Sequence, residues 1–422
     1  MTTLMPQQLL EVSIDKVPVT QMNAEQIAQL HEKIEDTRAL LLPQLHDAKD
    51  PHSRLFVMTL DGTQNDAIND PTHATNIGLI AESIQKESNL RNDIVARYEP
   101  GVGNQKLITG LVDSVAGLTV SEQATKAYDN FVKTANQWHR EDPDVKISMA
   151  GIGFSRGASA LMIASNMVHE RGIPDLASVN KKQVIDPVTG KSHTETTYSR
   201  YIVPPGQVPQ ALILNDQVAT GKAEDMDRRI APSVVSVVQL QAKNEHRTPF
   251  PFYSAEDPTK PDPRLHTLKI SGAHSDIGGG YLLNGISSVT RQINEIVLNK
   301  YGANIPETTA EINHKKYVIH DSEYLWGDRN ASSPTPPLET SAGRKVIFDK
   351  GPGDGIVNPV ADELLLQKYI PRIDATPMKQ EMPVSFFSGF TQAQMAVVVA
   401  HMQENLAINH SEIMAASQER IS

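Results

Sequence analysis

The chain has 422 residues, 27 prolines, 25 glycines, no cysteine and a formal net charge of −11. That length buries a large core and predicts more than one structural unit. The acidic balance leaves no basic stripe for nucleic-acid phosphates and no general attraction to anionic membranes, and the lack of thiols excludes disulfides, thiolate metal sites and a cysteine nucleophile.

Residues 1–50 read as an N-terminal helical extension. Met1-Thr-Thr-Leu-Met-Pro6 has neither a basic n-region nor an apolar h-region, so no ordinary signal peptide is expected and any export needs a signal-independent machine. Asn23-Ala-Glu-Gln26 has the form of a capping box, Ile27, Leu30 and Ile34 follow at helical spacing, and Pro43 closes the helix. A catalytic unit is expected over residues 51–330. It opens on a buried-strand pattern at Arg54–Leu60 and continues through strand Ile94–Tyr98, helix Ser121–His139 and an apolar run at Lys146–Ile152. Ala211–Leu214 and Leu268–Ser271 read as further strands. Short apolar strands alternating with helices predict an α/β fold of the α/β-hydrolase kind, a mostly parallel sheet covered on both faces. Within it, residues 181–209 form an insertion whose Asp186-Pro-Val-Thr-Gly190 turn predicts a hairpin and a candidate lid. Residues 331–422 read as a Pro-rich linker, with Ser332–Pro337 at its start, and a helical C-terminal region. There, Thr391–Ala416 presents Met395, Val398, Val399 and Met402 on one apolar face. No apolar run reaches the roughly 18 residues that span a bilayer.

The chemistry concentrates at Gly151-Ile-Gly-Phe-Ser155-Arg-Gly-Ala158. A strand leads into Gly-x-Ser-x-Gly and a long helix follows at once, the layout of a nucleophile elbow. The same glycines approach a dinucleotide-loop pattern, but they lie mid-chain, and the acid at the right distance, Glu170, ends the helix itself. A serine nucleophile needs a base and an acid that orients it, in chain order Ser, Asp or Glu, His. Asp216 directly follows the strand Ala211–Leu214 and is the candidate acid; Asp225 and Asp227 read as solvated surface. His274, just after Leu268–Ser271 and beside three consecutive glycines, is the candidate base, with His320 as the alternative. The amide of Arg156 and those of Gly62 or Thr63, in Leu60-Asp-Gly-Thr-Gln-Asn65, are the candidate oxyanion donors. No metal motif occurs; Asp66, Asp70 and Asp276 are carboxylates that a calcium ion would need, though acidic loop residues seldom bind one. No cofactor is expected.

Six segments occurring in order carry a more specific signal. They are Leu60–Asn65, Tyr98-Glu-Pro-Gly-Val-Gly103, Gly153–Ala158, Asn215-Asp-Gln-Val-Ala219, Asn244-Glu-His-Arg247 and Gly272-Ala-His-Ser-Asp-Ile-Gly-Gly-Gly-Tyr281. Over roughly residues 54–325 the chain resembles the first class of type VI secretion lipase effectors, an α/β-hydrolase family long catalogued as a domain of unknown function. The resemblance implies Ser155 as nucleophile, Asp216 as acid and His274 as base. It also implies phospholipid acyl esters in a rival bacterium's envelope as substrate, and a secretion spike and an immunity protein as partners. Asn-Asp-Gln stands where the family has Trp-Asp-Thr, and the Trp-Met helix expected after Tyr281 is missing. The expectation is therefore a phospholipid-cleaving serine hydrolase, made in the cytoplasm and acting in the target cell's periplasm or envelope. An intracellular esterase or thioesterase on a soluble substrate, and a non-catalytic interaction protein that keeps the fold, are the alternatives.

Overall fold

Leu55 and Val57 face one apolar layer while Phe56, Met58 and Leu60 face the other, so a single strand separates two cores. This two-residue alternation, buried on both sides, is what a central parallel strand requires. The computed structural model describes residues 13–322, apart from 64, 102–111, 186–189, 220–225, 248–249 and 257–261, together with 346–348, 359 and 361–369.

In chain order the elements are β1 (Val19–Gln21), α1 (Ala24–Ala39), β2 (Ser53–Leu60), α2 (Asn76–Ser88), β3 (Ile94–Glu99), α3 (Val112–Glu141), β4 (Lys146–Phe154) and α4 (Arg156–Arg171). There follow β5 (Ile173–Pro174), β6 (Val179–Ile185), β7 (Ser192–Tyr198), β8 (Tyr201–Val203), β9 (Gln210–Asn215), β10 (Val234–Ala242), β11 (Phe252–Ser254) and β12 (Leu265–Ile270). The last are α5 (His274–Gly278), α6 (Gly285–Lys300), β13 (Val318–His320), β14 (Val346–Phe348) and α7 (Glu363–Tyr369).

The main sheet has six parallel strands in the order β12-β10-β9-β4-β2-β3. One core lies between this sheet and α1, α2 and α6; the other lies beneath α3 and α4. The fold is α/β, of the α/β-hydrolase kind, as expected. From β2 the chain runs outward to β3 and then crosses back to β4 on the other side of β2. Ligands of such sheets bind where the strand order reverses, at the carboxyl ends of the strands.

Residues 1–50 were expected to be an appendage, but the part described here belongs to the core. Asn23 and Gln26 form the expected reciprocal cap on α1. Ile27, Leu30 and Ile34 then join the same cluster as Ile293, Ile296 and Tyr301 of the α6 region, and β1 pairs antiparallel with β13. The apolar stripe on α1 needs a partner, and α6 supplies it.

The insertion at 181–209 does contain a hairpin, β6 paired with β7 from Val179↔Tyr198 to Ile185↔Ser192. Its position disagrees with a lid. It is rooted at the C-terminus of α4, a helix of 16 residues, which puts the root about 24 Å of helix away from Ser155. The Asn136 side chain near the end of α3 holds that root by donating to the Pro174 carbonyl at 2.9 Å and accepting from the Leu176 amide at 2.9 Å. The insertion ends at Pro209, whose carbonyl accepts from Met149 near the start of β4. Both roots therefore sit at the end of the sheet opposite the elbow. Ser332–Pro337 and Thr391–Ala416 lie outside the described residues. Among the described residues no helix is long and apolar enough to cross a membrane.

Candidate active site

Strand register brings the motifs together. Leu60 of β2 pairs with Gly153 of β4, which pairs with Leu214 of β9, which pairs with Gln239 of β10. One or two residues beyond this row stand Asp61-Gly62, Ser155 and Asp216, all at the carboxyl end of the sheet.

Ser155 has φ 57° and ψ −127°, a conformation that costs an L-residue on the order of 1–3 kcal/mol. Its surroundings hold it there. A Cβ on Gly157 would lie 2.3 Å from the Leu60 carbonyl oxygen, and one on Gly153 would lie 2.7 Å from Ala158 Cα. Only glycines let the turn close this tightly. The Ser155 amide donates to the Asn215 carbonyl at 3.0 Å, and its carbonyl accepts from Ala158 at 3.1 Å and Val218 at 3.3 Å. The elbow is thus strapped to the loop that carries the candidate acid.

Asp216 also has positive φ, 45°. Its amide donates to the Leu240 carbonyl at 2.8 Å, and its Oδ1 accepts from the Ala242 amide at 2.8 Å. Its Oδ2 is 2.5 Å from His274 Nδ1. His274 begins α5, and its ring packs against Phe154 at 4.6 Å between centroids and against the edge-on ring of Phe250 at 5.1 Å. Burial pulls the His274 imidazole below its ordinary value, against the opposing effect of Asp216. A base kept neutral near pH 7 is ready to accept a proton. Among the described residues no hydrogen bond joins the Ser155 hydroxyl to His274; the residue before the serine, Phe154, is what touches the ring. Catalytic hydrogen bonds of this kind often close only once substrate is bound.

His320 sits elsewhere. Its Nδ1 is 2.6 Å from Asp276 Oδ1 and its Nε2 is 3.2 Å from Asp15 Oδ2, with Tyr281 stacked on the ring at 3.7 Å. Both ring nitrogens are engaged by carboxylates, which makes it a clamp between α5 and the N-terminal segment. Burial opposes the imidazolium, but Asp276 and Asp15 outweigh it and hold the pKa above the ordinary value. Asp276 is thereby committed to His320 and to the Ala273 amide. Asp66 accepts from Ile68 and Asn69, and Asp70 caps the turn at His73. Among the described residues no three His, Cys, Asp or Glu side chains cluster as metal ligands would.

The loop expected to supply an oxyanion donor lies beside the elbow. A Cβ on Gly62 would lie 2.9 Å from Ser155 Cβ, so this loop does abut the serine. The Gly62 amide, however, donates to Asp61 Oδ1 at 2.7 Å and is turned away from the reaction space. Asp61 also accepts from Thr75 Oγ1 at 2.7 Å and from the Tyr98 hydroxyl at 2.8 Å, and its burial pushes its pKa up to about 6. Gln123 of α3 donates to the carbonyls of Asp61, Glu99 and Pro100, pinning the loop from behind. No reading of the sequence picked out Gln123. Tyr98 did fall in a singled-out segment, but it had no assigned role. Arg156 follows the serine directly at the head of α4, and Thr63 follows Gly62 in the loop that abuts it.

A second line of serine, histidine and aspartate shows that hydrogen bonds alone do not make such a site. Ser53 Oγ is 2.8 Å from His46 Nδ1, and His46 Nε2 is 2.9 Å from Asp93 Oδ2. Ser53 starts β2, at the wrong end of the sheet. It has no following helix N-terminus, and its hydroxyl accepts from the Asp47 amide.

Residues 54–201 match the model of a family described as "T6SS, Phospholipase effector Tle1-like, catalytic domain". The resemblance is to the Tle1-like phospholipase effectors of type VI secretion. The Tle1-like segment holds Gly62, Thr63, Ser155 and Arg156; Asp216 and His274 lie beyond it and rest on the geometry above. Among solved structures, the chain is similar to an uncharacterized protein from Pseudomonas aeruginosa at 16% identity and TM-score 0.39, over 68% of this chain and 50% of that one. It is similar to a Tle1 effector solved bound to the VgrG spike at 19% identity and TM-score 0.33, over 54% and 51% of the two chains. It is also similar to an esterase from Thermogutta terrifontis at 15% identity and TM-score 0.32, over 63% and 89%. The match thus spans about half the length of the first two proteins. A comparison with curated proteins finds no significant match.

Proposed function

We propose that the protein is a serine hydrolase that cleaves acyl esters of phospholipids and is delivered as an antibacterial effector by type VI secretion. The observation that carries the catalytic part is the pairing of a strained elbow serine with a buried Asp216–His274 couple at the same end of one sheet. Ser155 Oγ attacks the ester carbonyl, and His274 Nε2 takes its proton. Asp216 holds Nδ1–H and so fixes the tautomer that leaves Nε2 basic. The amides of Arg156 and Thr63 receive the oxyanion. His274 then returns the proton to the leaving alcohol, and water hydrolyses the acyl-enzyme by the same route.

The Tle1-like match supports the lipid substrate and the effector role. On this reading the chain is made in the cytoplasm and travels with a secretion spike. It acts in the target cell's periplasm or envelope and is neutralised in the producer by an immunity protein. The soluble-ester reading keeps the same chemistry but differs in substrate. Mass spectrometry of phospholipid vesicles incubated with the purified protein separates the two. Fatty acid and lysophospholipid are expected from wild type and not from Ser155→Ala. Turnover of short monomeric esters with intact vesicle lipid would favour the soluble-substrate reading.

A further inference from the structure

The segment after β10, Asn244-Glu-His-Arg247, was singled out in the sequence and is left without a task by the mechanism. Its side chains converge on the turn that carries His274. Asn244 Oδ1 accepts from the Gly272 amide at 2.8 Å, and its own amide donates to the Gly272 carbonyl at 3.0 Å. Glu245, fully buried, accepts from the His274 amide at 3.2 Å and from Ser322 Oγ at 3.0 Å. Arg247 neutralises it with a two-pronged contact, Nε to Oε1 and Nη2 to Oε2, both at 2.9 Å. The Arg247 guanidinium lies 3.7 Å over the Phe250 ring, and Phe250 in turn meets the His274 ring edge-on.

We propose that Glu245 and Arg247 are positioning residues of the reaction, a buried ion pair that fixes the backbone and ring of His274 and balances the charge beside its imidazole. The inference rests on the hydrolase reading for its catalytic meaning. Three features carry it. A buried carboxylate is costly unless it is paired and hydrogen-bonded, and this one is bound to the peptide group of the base itself. Arg247 is joined to the imidazole through a single aromatic ring. Finally, among the described residues, the charged and titratable groups facing His274 come from two loops and its own helix: Asp216 after β9, Glu245 and Arg247 after β10, and Asp276 within α5. Asp216 is bonded to the ring and Asp276 is bonded to His320, which leaves the Glu245–Arg247 pair to set the remaining charge.

A purely structural pair would change stability and leave the titration of His274 where it was; a balancing pair moves it in opposite directions. Glu245→Gln keeps an oxygen for the His274 amide but leaves Arg247 uncompensated, so the imidazole pKa falls. Arg247→Gln leaves the carboxylate uncompensated, so the imidazole pKa rises. Each shift is expected at roughly one pH unit, and the double variant is expected to return toward wild type.

The test is an NMR titration of the His274 ring in the Ser155→Ala background, which needs no turnover, alongside pH–rate profiles of the same variants with Ser155 intact. Opposite shifts in the singles and recovery in the double support the proposal. Folded variants that all titrate at the wild-type pH overturn it. If one single variant unfolds, the other still reports: its shift in the predicted direction supports the proposal, and its titration at the wild-type pH overturns it. A folded double whose titration stays displaced by as much as that of either single also overturns the charge-balancing role. Loss of Ser155-dependent hydrolysis in the wild type would contradict the hydrolase reading and leave the NMR result to stand by itself.

Discussion

Asp216 is held at both carboxylate oxygens: Oδ2 meets His274 Nδ1 at 2.5 Å while Oδ1 takes the Ala242 amide at 2.8 Å. Because one oxygen is pinned by backbone, the other has a fixed orientation. In Asp216→Asn the amide oxygen is expected to stay on Ala242, which turns the NH2 group toward Nδ1. The imidazole then adopts the tautomer that carries its proton on Nε2, and the base is lost. Activity on a p-nitrophenyl ester should fall on the order of 10⁴-fold, with little change in unfolding temperature. A loss below about tenfold, measured as kcat/KM, would remove Asp216 from the acid role.

The elbow strain makes a prediction of its own. Ser155 is held at φ 57° by its neighbours, and glycine reaches this region without the penalty that a Cβ brings. Ser155→Ala and Ser155→Gly should both be inactive, but the glycine variant should be the more stable of the two by about 1 kcal/mol in urea denaturation. Equal midpoints would show that the turn is not strained.

How much of this was readable in the sequence depended on whether a motif is local. Gly153-Phe-Ser-Arg-Gly157 announces itself because strand, tight turn and helix follow one another along the chain. Asp216 and His274 could be picked out because each directly follows an apolar strand. Gly62 was expected as an oxyanion donor and lies against Ser155, but its amide direction could not be foreseen, because it is set by Asp61, Thr75 and Tyr98, which are brought together only by the fold. The strand β10 is as apolar as its neighbours and was missed. The structural role of α1 was missed because an amphipathic helix does not reveal its partner, here α6. The lid reading failed for a similar reason: position in sequence after the elbow helix says nothing about which end of that helix the insertion leaves from.

Close contacts at two glycines should separate stability from activity. Alanine at Gly157 drives a Cβ to 2.3 Å from the Leu60 oxygen and 2.4 Å from the Asp61 oxygen, both backbone atoms that cannot step aside. Gly157→Ala should therefore destabilise the fold by about 1–3 kcal/mol or more. Alanine at Gly62 meets Ser155 Cβ at 2.9 Å and the Phe154 ring at 3.0 Å, longer contacts than those at Gly157, but the first of them bears directly on the nucleophile. Gly62→Ala should keep most of its stability and lose activity through displacement of Ser155, by roughly 10²-fold. Thermal melts and ester kinetics on both variants check the split; the reverse ranking would contradict it.

The His320 clamp should show in the pH dependence of stability. Its folded pKa is raised above the ordinary 6.5 by Asp276 and Asp15, despite burial. The charged form therefore stabilises the fold fully below the unfolded value, and that contribution is lost as pH rises through the folded one. His320→Gln should cost more stability at about pH 6 than at about pH 9, read as the difference from wild type in denaturant midpoints. A pH-independent difference would mean that the buried ring is neutral.

Ser155, activated by His274 and Asp216, is the nucleophile on which the proposed hydrolysis depends. The most direct measurement is covalent labelling with an alkyl fluorophosphonate, whose phosphorus is attacked by an activated serine with loss of fluoride, followed by peptide mass spectrometry. The wild type is expected to gain one adduct, on the peptide containing Ser155. Ser155→Ala should gain none, and His274→Gln and Asp216→Asn should label far more slowly. An adduct on another serine, or labelling of Ser155→Ala at the wild-type rate, would contradict the assignment.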